Sequence, residues 1–205
     1  MKLFLSDFDE TLVSAGVLDA VASINGIENA SEKLYAENIA ANWGIAPLVN
    51  LINSLKGITR AQIKKKLDEN NFLAKGAKEL FSWLKQNGYT TVLHTGNILP
   101  VAEYYKDLLG IDYIVCAMPK MDGDKIVGIT EKDIVKGFKA KECKKIIDKL
   151  KIPKENIVAI GDSAVDLPVF ELAGVTIAIN AKGGIEKHAT YEIKNGDLAE
   201  VIKIV

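Results

Sequence analysis

Arginine is nearly absent from this chain of 205 residues, in which Arg60 stands alone among 26 basic residues. The forked arginine side chain is the one best shaped to bind phosphate or carboxylate through two parallel hydrogen bonds, so such a clamp could form only at Arg60. The formal net charge is −1. This balance gives no electrostatic basis for binding nucleic acid or an anionic membrane, and we expect neither partner.

Cysteine is also scarce, and long apolar runs are missing. Cys116 and Cys143 lie far apart in the sequence, which is not the spacing of a metal site, and we expect two reduced thiols. No apolar run approaches the roughly 18 residues that suggest a membrane span. The first residues become acidic too soon for a secretory signal. Together these absences favour a cytoplasmic protein.

Apolar runs typical of buried strands alternate with amphipathic stretches typical of helices. The strand-type runs lie at 2–8, 89–95, 112–118, 156–162 and 175–180. The helical stretches lie at 76–88, 98–110, 143–152 and 167–174, with Gly88, Gly110 and Gly174 where C-terminal caps are expected. This alternation predicts a doubly wound α/β fold, in which helices cover both faces of a parallel sheet.

Residues 14–73 interrupt the alternation with four successive helix-like stretches and no strand. A helical block placed after the first strand is best interpreted as a cap over the C-terminal end of that strand. We therefore predict an α/β core of residues 1–13 and 74–205 and a helical insert of residues 14–73. A smaller excursion at 118–130 resembles a β-hairpin around Asp122 and Gly123.

Acidic residues crowd the end of the first predicted strand. In residues 3–13, LFLSDFDETLV, the apolar run leads directly into Asp7, Asp9 and Glu10. Carboxylates this close repel one another, so the cluster should cost stability unless a cation or a reaction uses it. Two carboxylates in one crevice can divide the work between an ionised nucleophile and a proton carrier, which makes Asp7 and Asp9 candidate catalytic residues.

A second acidic pair follows the predicted strand at 156–162, where Asp162 ends the strand and Asp166 begins the next helix. Ligands of parallel α/β sheets bind at the C-terminal ends of the strands, so this pair should lie near the first. Oxygen donors of this kind suit Mg²⁺, with Asp7, the Asp9 backbone carbonyl, Asp162 and Asp166 as candidate ligands. Taken alone, Asp166 could instead cap its helix.

Thr95 and Gly96 follow the strand at 89–95, and a hydroxyl with free backbone amides at such a turn can hold an anion. We expect a structural or supporting role for the neighbouring His94.

One lysine is predicted to face the same edge of the sheet. The buried stripe of the helix near residue 143 is formed by Cys143, Ile146, Ile147 and Leu150. Lys139 lies four residues before Cys143 and therefore on the same face, whereas Lys141 should face solvent. A lysine directed toward four carboxylates would relieve their repulsion and could hold a phosphoryl group. The alternative is a solvated helix start.

At these residues the chain resembles the haloacid dehalogenase superfamily of phosphatases, in the phosphoserine-phosphatase-like branch with a small helical cap. The family motifs stand in order as Asp7–Asp9–Thr11, Thr95, Lys139 and Gly161–Asp162 with Asp166. The resemblance implies Mg²⁺-dependent hydrolysis of a phosphate monoester through an aspartyl phosphate on Asp7, with Asp9 as general acid and base. It also implies that Thr95, the Gly96 amide and Lys139 hold the phosphoryl oxygens.

The chain departs from phosphoserine phosphatases where they bind the amino acid. Their glutamate nine residues after the nucleophile is Gly16 here, and the stretch aligned with their cap arginine, LVNLINSLKG, has no arginine. Arg60 lies at what we expect to be a solvated helix start. We therefore predict a different small phosphorylated metabolite as substrate, with phosphoserine as the alternative. Candidate substrate contacts are Glu10, Thr11, Asn97 and Trp43, together with the apolar Leu48 and Leu51.

Two other functions stay open at this point. The chain could be a binding or regulatory protein that keeps the fold without catalysis, although an unused carboxylate cluster would only destabilise it. A haloacid dehalogenase is disfavoured, because Asp9 would supply a proton that a leaving halide does not need. We expect a monomer or a homodimer.

Overall fold

The computed structural model describes residues 1–14, 16–40 and 44–205, and its centre is a parallel six-stranded sheet. The strands of this sheet are β1 Lys2–Asp7, β2 Tyr89–Ile98, β3 Tyr113–Ala117, β6 Ile157–Gly161, β7 Val175–Ile179 and β8 Tyr191–Ile193. Their order across the sheet is β3–β2–β1–β6–β7–β8, so β1 is central and lies between β2 and β6. The predicted doubly wound α/β fold is confirmed.

Both faces of β1 are buried, which explains its nearly continuous apolar run. Leu3 and Leu5 join the hydrophobic cluster on one face of the sheet, whereas Phe4 and Phe8 join the cluster on the other. This alternation follows from the two-residue period of a strand. Because β1 is fixed on both faces, the residues at its C-terminal end are held firmly in place.

Eight α-helices are present in the described residues. They are α1 Val17–Ala22, α2 Ala30–Ala40, α3 Ala46–Ser54, α4 Arg60–Asp68, α5 Ala77–Gln86, α6 Leu99–Leu109, α7 Phe138–Leu150 and α8 Leu167–Phe170. Helices α5 and α6 bury Leu80 and Val101 in the cluster with Phe4, while α7 buries Cys143 in the cluster with Leu3. Helices therefore cover both faces of the sheet.

Helices α1–α4 form the helical insert between β1 and α5, with no strand among its described residues. Helix α4 begins with a capping box, in which the side chains of Thr59 and Gln62 each bond the other's backbone amide. Ile52 and Leu67 of the insert are buried in the same hydrophobic cluster as Phe8 of the sheet. The insert thus packs directly on the core.

The hairpin predicted at 118–130 is present as the antiparallel strands β4 Lys120–Asp122 and β5 Lys125–Gly128. It binds the connection between α3 and α4 through backbone hydrogen bonds. The Gly57 amide donates to the Ile126 carbonyl at 2.9 Å, and the Ile126 amide donates to the Ile58 carbonyl at 3.0 Å. The hairpin therefore ties the insert to the core at a point far in sequence from the insert's ends.

Several predicted boundaries differ from the structure. Helix α7 begins at Phe138, five residues before the predicted start, and α8 covers only four residues. Gly88 and Gly110 have the left-handed backbone expected after a helix, but the assignment of Gly174 as a cap is wrong. A Cβ at Gly174 would lie 2.7 Å from the Lys154 carbonyl oxygen, so this glycine permits a close chain approach.

Both cysteines are free, as predicted, and both are buried. Within the described residues, no helix combines the length and the apolar character needed to cross a membrane.

Candidate active site

The C-terminal edge of the sheet gathers the predicted site residues from three neighbouring strands. Asp7 ends β1, Thr95 lies near the end of β2, and Asp162 directly follows β6. All three are buried, and Asp166 in the turn before α8 is fully buried. We call Asp7, Asp9, Asp162 and Asp166 the acidic cluster.

Lys139 reaches the acidic cluster from the first turn of α7. Its Nζ donates to Asp7 Oδ1 at 2.7 Å and to Asp166 Oδ1 at 2.8 Å. Burial opposes the charge on Lys139, but the carboxylates of Asp166 and Asp7 outweigh it and raise the pKa of the lysine. Lys139 therefore stays positively charged between two carboxylates. Lys141 is exposed, as the helical period predicted.

Two carboxyls of the cluster, Asp7 and Asp162, are harder to ionise than ordinary aspartates. Burial raises the pKa of Asp7 well above 3.8, and repulsion from Asp166 adds to this effect while Lys139 reduces it. Burial and the charge of Asp166 likewise raise the pKa of Asp162 to about 6. One lysine does not neutralise four carboxylates, so the site favours further positive charge.

Asp9 occupies a different environment, at the margin of the cluster. The Thr95 hydroxyl donates to Asp9 Oδ2 at 3.2 Å, and the backbone N–H of Asn97 donates to Thr95 Oγ1 at 2.9 Å. Although Asp9 keeps exposed surface, desolvation of its carboxyl raises the pKa, and Lys139, Thr95 and Asn97 lower it in part. A carboxyl with a raised pKa and a fixed orientation is suited to carry a proton.

His94 lies beside the nucleophile candidate without a hydrogen-bond partner. Its Nδ1 is 3.6 Å from Asp7 Oδ1, and neither ring nitrogen makes a hydrogen bond. Complete burial, assisted by the charge of Lys139, lowers the pKa of His94 to about 3, so the ring is neutral. A neutral imidazole in this position packs against the Asp7 carboxyl without adding charge.

The donor set of the cluster fits a hard divalent cation. Asp166 Oδ2 is buried and has no hydrogen-bond partner, while Oδ1 of the same carboxyl binds Lys139. Ligand atoms of Asp7, His94 and Asp166 lie within 4.8 Å of one another. An unpaired buried carboxylate oxygen is costly unless a cation or a proton satisfies it. The carboxylates of this cluster could therefore hold a metal ion.

Gly161 explains how Asp166 comes so close to the sheet. A Cβ at Gly161 would lie 2.6 Å from Asp166 Oδ2 and 2.8 Å from its Cγ. Only glycine leaves room for the Asp166 carboxyl against the end of β6. The glycine of the Gly161–Asp162 motif is thus a packing requirement of the acidic cluster.

A small cavity adjoins Asp9 beneath the helical insert. It has a volume of about 70 Å³. Its insert side is formed by aliphatic side chains of α1, α2 and α3 and of the residue after α3, namely Leu18, Leu34, Leu48, Leu51, Ile52 and Leu55. Its core side is formed by Asp9, Gly96, Asn97 and Ile98. We call this space the apolar cavity.

Some of the predicted substrate contacts line the cavity and others do not. Leu48, Leu51 and Asn97, three of the predicted substrate contacts, line it. Thr11 is fully buried with an unpaired hydroxyl. Glu10, another predicted substrate contact, does not line the cavity and instead forms an ion pair with Lys182 after β7. Trp43 lies outside the described residues.

Arg60 is the first residue of α4, and its expected solvated position is wrong in part. The guanidinium forms an ion pair with Glu103 of α6, with each side chain about two-fifths exposed. The only arginine of the chain therefore bridges the insert and the core. Arg60 is not among the residues that line the cavity.

Four lining residues of the insert were not predicted from the sequence, Leu18, Leu34, Ile52 and Leu55, nor was Ile98 at the end of β2. For the residues of the insert, the signal was the apolar periodicity of the insert helices, which cannot distinguish a side chain in the core from one at a cavity.

Comparison with known proteins gives one consistent result. The family model for haloacid dehalogenase-like hydrolases matches residues 4–171. Over its whole length the chain is 29% identical to phosphoserine phosphatase of Methanocaldococcus jannaschii and covers 97% of it. It is 30% identical to a probable phosphoserine phosphatase of Schizosaccharomyces pombe and covers 70% of that protein.

Solved structures agree with this assignment. A substrate-bound phosphoserine phosphatase matches with a TM-score of 0.85 at 27% identity, covering all of this chain and 98% of the other. A phospho-aspartyl intermediate analogue of phosphoserine phosphatase matches with a TM-score of 0.83 at 28% identity and the same coverage. The chain belongs to the haloacid dehalogenase-like hydrolase family, as its motifs predicted.

Proposed function

We propose that this hydrolase is a Mg²⁺-dependent phosphatase that cleaves the monoester of a small phosphorylated metabolite through an aspartyl phosphate on Asp7. The observation that carries the proposal is the position of Lys139 between Asp7 and Asp166, beside the differently held Asp9. Phosphoryl transfer depends mainly on positioning and on neutralising negative charge, and this arrangement provides both.

Asp7 and Asp9 have separate tasks in the proposed reaction. An Asp7 carboxylate oxygen attacks phosphorus, and the bond from phosphorus to the ester oxygen breaks as Asp9 gives its proton to that oxygen. Asp9 then takes a proton from water, whose oxygen attacks phosphorus and releases phosphate and Asp7. The raised pKa of Asp9 supports the donor role in the first step and the acceptor role in the second.

The phosphoryl oxygens would be held by the Thr95 hydroxyl, the Gly96 amide and Lys139. Mg²⁺ would be held by Asp7, the Asp9 carbonyl, Asp162 and Asp166, whose oxygen donors fit its preference. When bound, it would neutralise charge on the carboxylates and on the phosphoryl group. The unpaired Oδ2 of Asp166 supports this assignment.

We also propose that residues 14–73 form a cap domain on the core of residues 1–13 and 74–205, and that the enzyme acts in the cytoplasm. The position of the insert over Asp9 and Gly96 supports the cap. Phosphoserine is the second candidate substrate, because the relatives cited above are named as phosphoserine phosphatases. Neither a dehalogenase nor an inactive binding protein needs a proton donor at Asp9, so neither would make use of a carboxyl with a raised pKa there.

The test is hydrolysis of p-nitrophenyl phosphate with Mg²⁺ or with EDTA. We expect wild-type activity that EDTA abolishes, and background activity for Asp7→Asn. Asp107→Asn, which changes an exposed aspartate on α6, serves as a matched control that keeps activity. Activity that survives Asp7→Asn would exclude the aspartyl phosphate. A folded wild-type protein without activity on any phosphate ester would favour a binding function.

A further inference from the structure

The apolar cavity begins at the group that would protonate the leaving oxygen. Of the lining residues that the structure describes, Asp9 alone is charged. In an in-line reaction at Asp7, the ester oxygen lies next to Asp9, so the remainder of the leaving group extends from Asp9 into the adjoining space. The cavity is therefore the place where the substrate is distinguished.

Among the described residues, the insert side of the cavity offers only aliphatic contacts. Leu48 brings the insert within contact distance of the core, since a Cβ on Gly96 would lie 3.8 Å from its Cδ2. The neighbouring Leu51 and Ile52 come from the same helix, α3. The undescribed residues of the insert, Ala15 and 41–43, are Ala, Ala, Asn and Trp, none of which is cationic.

A zwitterionic leaving group would lack partners in this cavity. Serine carries an ammonium and a carboxylate, and burying either without a partner is strongly unfavourable. Asp9 cannot serve the ammonium while it holds the proton for the ester oxygen. No described cation lines the cavity for the carboxylate, and Arg60 is paired with Glu103.

We propose that the natural substrate is the phosphate ester of a small, uncharged and predominantly apolar alcohol, whose carbon chain occupies the apolar cavity. The proposal rests on the phosphatase function proposed above. It gives this chain a substrate different from the phosphoserine named for its relatives, while the proposed reaction at phosphorus stays the same. The hydrophobic effect rewards the burial of such a group, and a site without unsatisfied polar atoms imposes no penalty on it.

The test compares two esters of similar shape. Isobutyl phosphate resembles O-phosphoserine in its branched carbon skeleton but carries no charge on the leaving group. With the wild-type enzyme and Mg²⁺, we expect kcat/KM for isobutyl phosphate to be at least tenfold higher than for O-phosphoserine. An equal or higher value for O-phosphoserine overturns the inference.

A variant moves the preference in the opposite direction. Leu51→Arg places a cation in the cavity, and we expect it to change the ratio of the two kcat/KM values by at least tenfold in favour of O-phosphoserine. Leu108→Arg, at an exposed leucine on α6, is the matched control and leaves the ratio unchanged. An unchanged ratio in folded Leu51→Arg also counts against the inference, and the wild-type comparison stands if this variant does not fold.

Hydrolysis of p-nitrophenyl phosphate separates the two levels of the proposal. If this ester is cleaved while O-phosphoserine is preferred over isobutyl phosphate, the phosphatase function stands and the substrate class is wrong. If no phosphate ester is cleaved, both are wrong.

Discussion

The two sides of the cleft differ in almost every chemical property. The acidic cluster concentrates buried charge around Lys139, on strand ends that neighbouring strands hold in place. The insert side presents aliphatic side chains from short helices that pack on the sheet. The difference teaches that reaction and selectivity would be built separately in the proposed enzyme, because the sheet would fix the chemistry at phosphorus and the insert would select the alcohol that leaves.

Removing the cation of the acidic cluster should have the largest effect. We expect Lys139→Ala to lower kcat/KM for p-nitrophenyl phosphate by about 10²–10³-fold, because a preorganised positive group contributes on that scale to stabilising a charged transition state. Lys141→Ala, two residues away and exposed, should change it by less than about twofold. Equal losses in the two variants would contradict the assignment of Lys139 to the site.

The second prediction concerns the room that Gly161 gives to Asp166. In Gly161→Ala the new methyl group would meet the Asp166 carboxyl at 2.6 Å and displace it. We expect Mg²⁺ affinity, measured by isothermal titration, to fall by roughly 10–100-fold, as it does when groups that orient metal ligands are disturbed.

Gly96→Ala is the matched control for this prediction, because its Cβ would meet only Leu48 at an ordinary 3.8 Å. Its Mg²⁺ affinity should be unchanged. If Gly161→Ala binds Mg²⁺ as tightly as wild type, Asp166 does not contribute to the metal site.

The third prediction is a pH dependence of stability in the metal-free protein. Asp162 ionises near its ordinary pKa of 3.8 when unfolded and near 6 when folded. Below pH about 3.8 it is protonated in both states, and between the two pKa values only the folded protein keeps the proton. Asp162 should therefore lower the free energy of unfolding by about 2–3 kcal/mol as pH rises from 3.8 to 6.

Denaturant unfolding at pH 4.5 and pH 7 measures this change. Asp162→Asn should be less sensitive to pH than wild type, and Mg²⁺ should stabilise wild type more at pH 7 than at pH 4.5. The same pH dependence in Asp162→Asn and wild type would show that the surroundings of Asp162 do not raise its pKa.

The smallest effect is expected at the boundary between the two sides. Arg60 and Glu103 are each partly exposed, so Arg60→Ala should cost about 1 kcal/mol or less in the free energy of unfolding. Because Arg60 is paired away from the cavity, kcat/KM for O-phosphoserine should stay within about twofold, as in the surface control Lys64→Ala. A tenfold loss confined to O-phosphoserine would show that Arg60 reaches the substrate, and that the insert side is not wholly apolar.

The features that sequence could predict are those with a local period or a fixed spacing. The apolar run of β1 predicted the strand, and the position of Asp7 at its C-terminal end predicted which edge of the sheet carries the site. The buried stripe through Cys143 predicted the face that carries Lys139, although α7 starts earlier than its apolar residues suggest.

The features that sequence could not predict depend on contacts between distant segments. Glu10 has a left-handed backbone, and its carbonyl accepts a hydrogen bond from the Asn180 side chain, 170 residues away. Strand β8 has three residues, too few to show a period. In the sequence Gly174 has the position of a helix cap. In the structure a glycine is required there because the backbone carbonyl of Lys154 lies too close for a side chain. Such positions are determined by packing rather than by their neighbours in sequence.

The hairpin of β4 and β5 has a consequence for how substrate reaches the cleft. The two ends of the insert are held to each other, because the Ser14 amide donates to the Phe72 carbonyl at 2.7 Å, and the hairpin holds the insert to the core at Gly57. Within the described residues, α1, α2 and α3 make no backbone hydrogen bond to the α/β core. Leu34 of α2 nevertheless lines the cavity.

These two connections restrict motion of the insert as a whole. We expect substrate to enter the cavity by local opening of α2, which contributes Leu34 to its lining, rather than by movement of the whole insert. Amide hydrogen exchange would show this as faster exchange in α2 than at Gly57 and Ile126, and a ligand in the cavity would slow it.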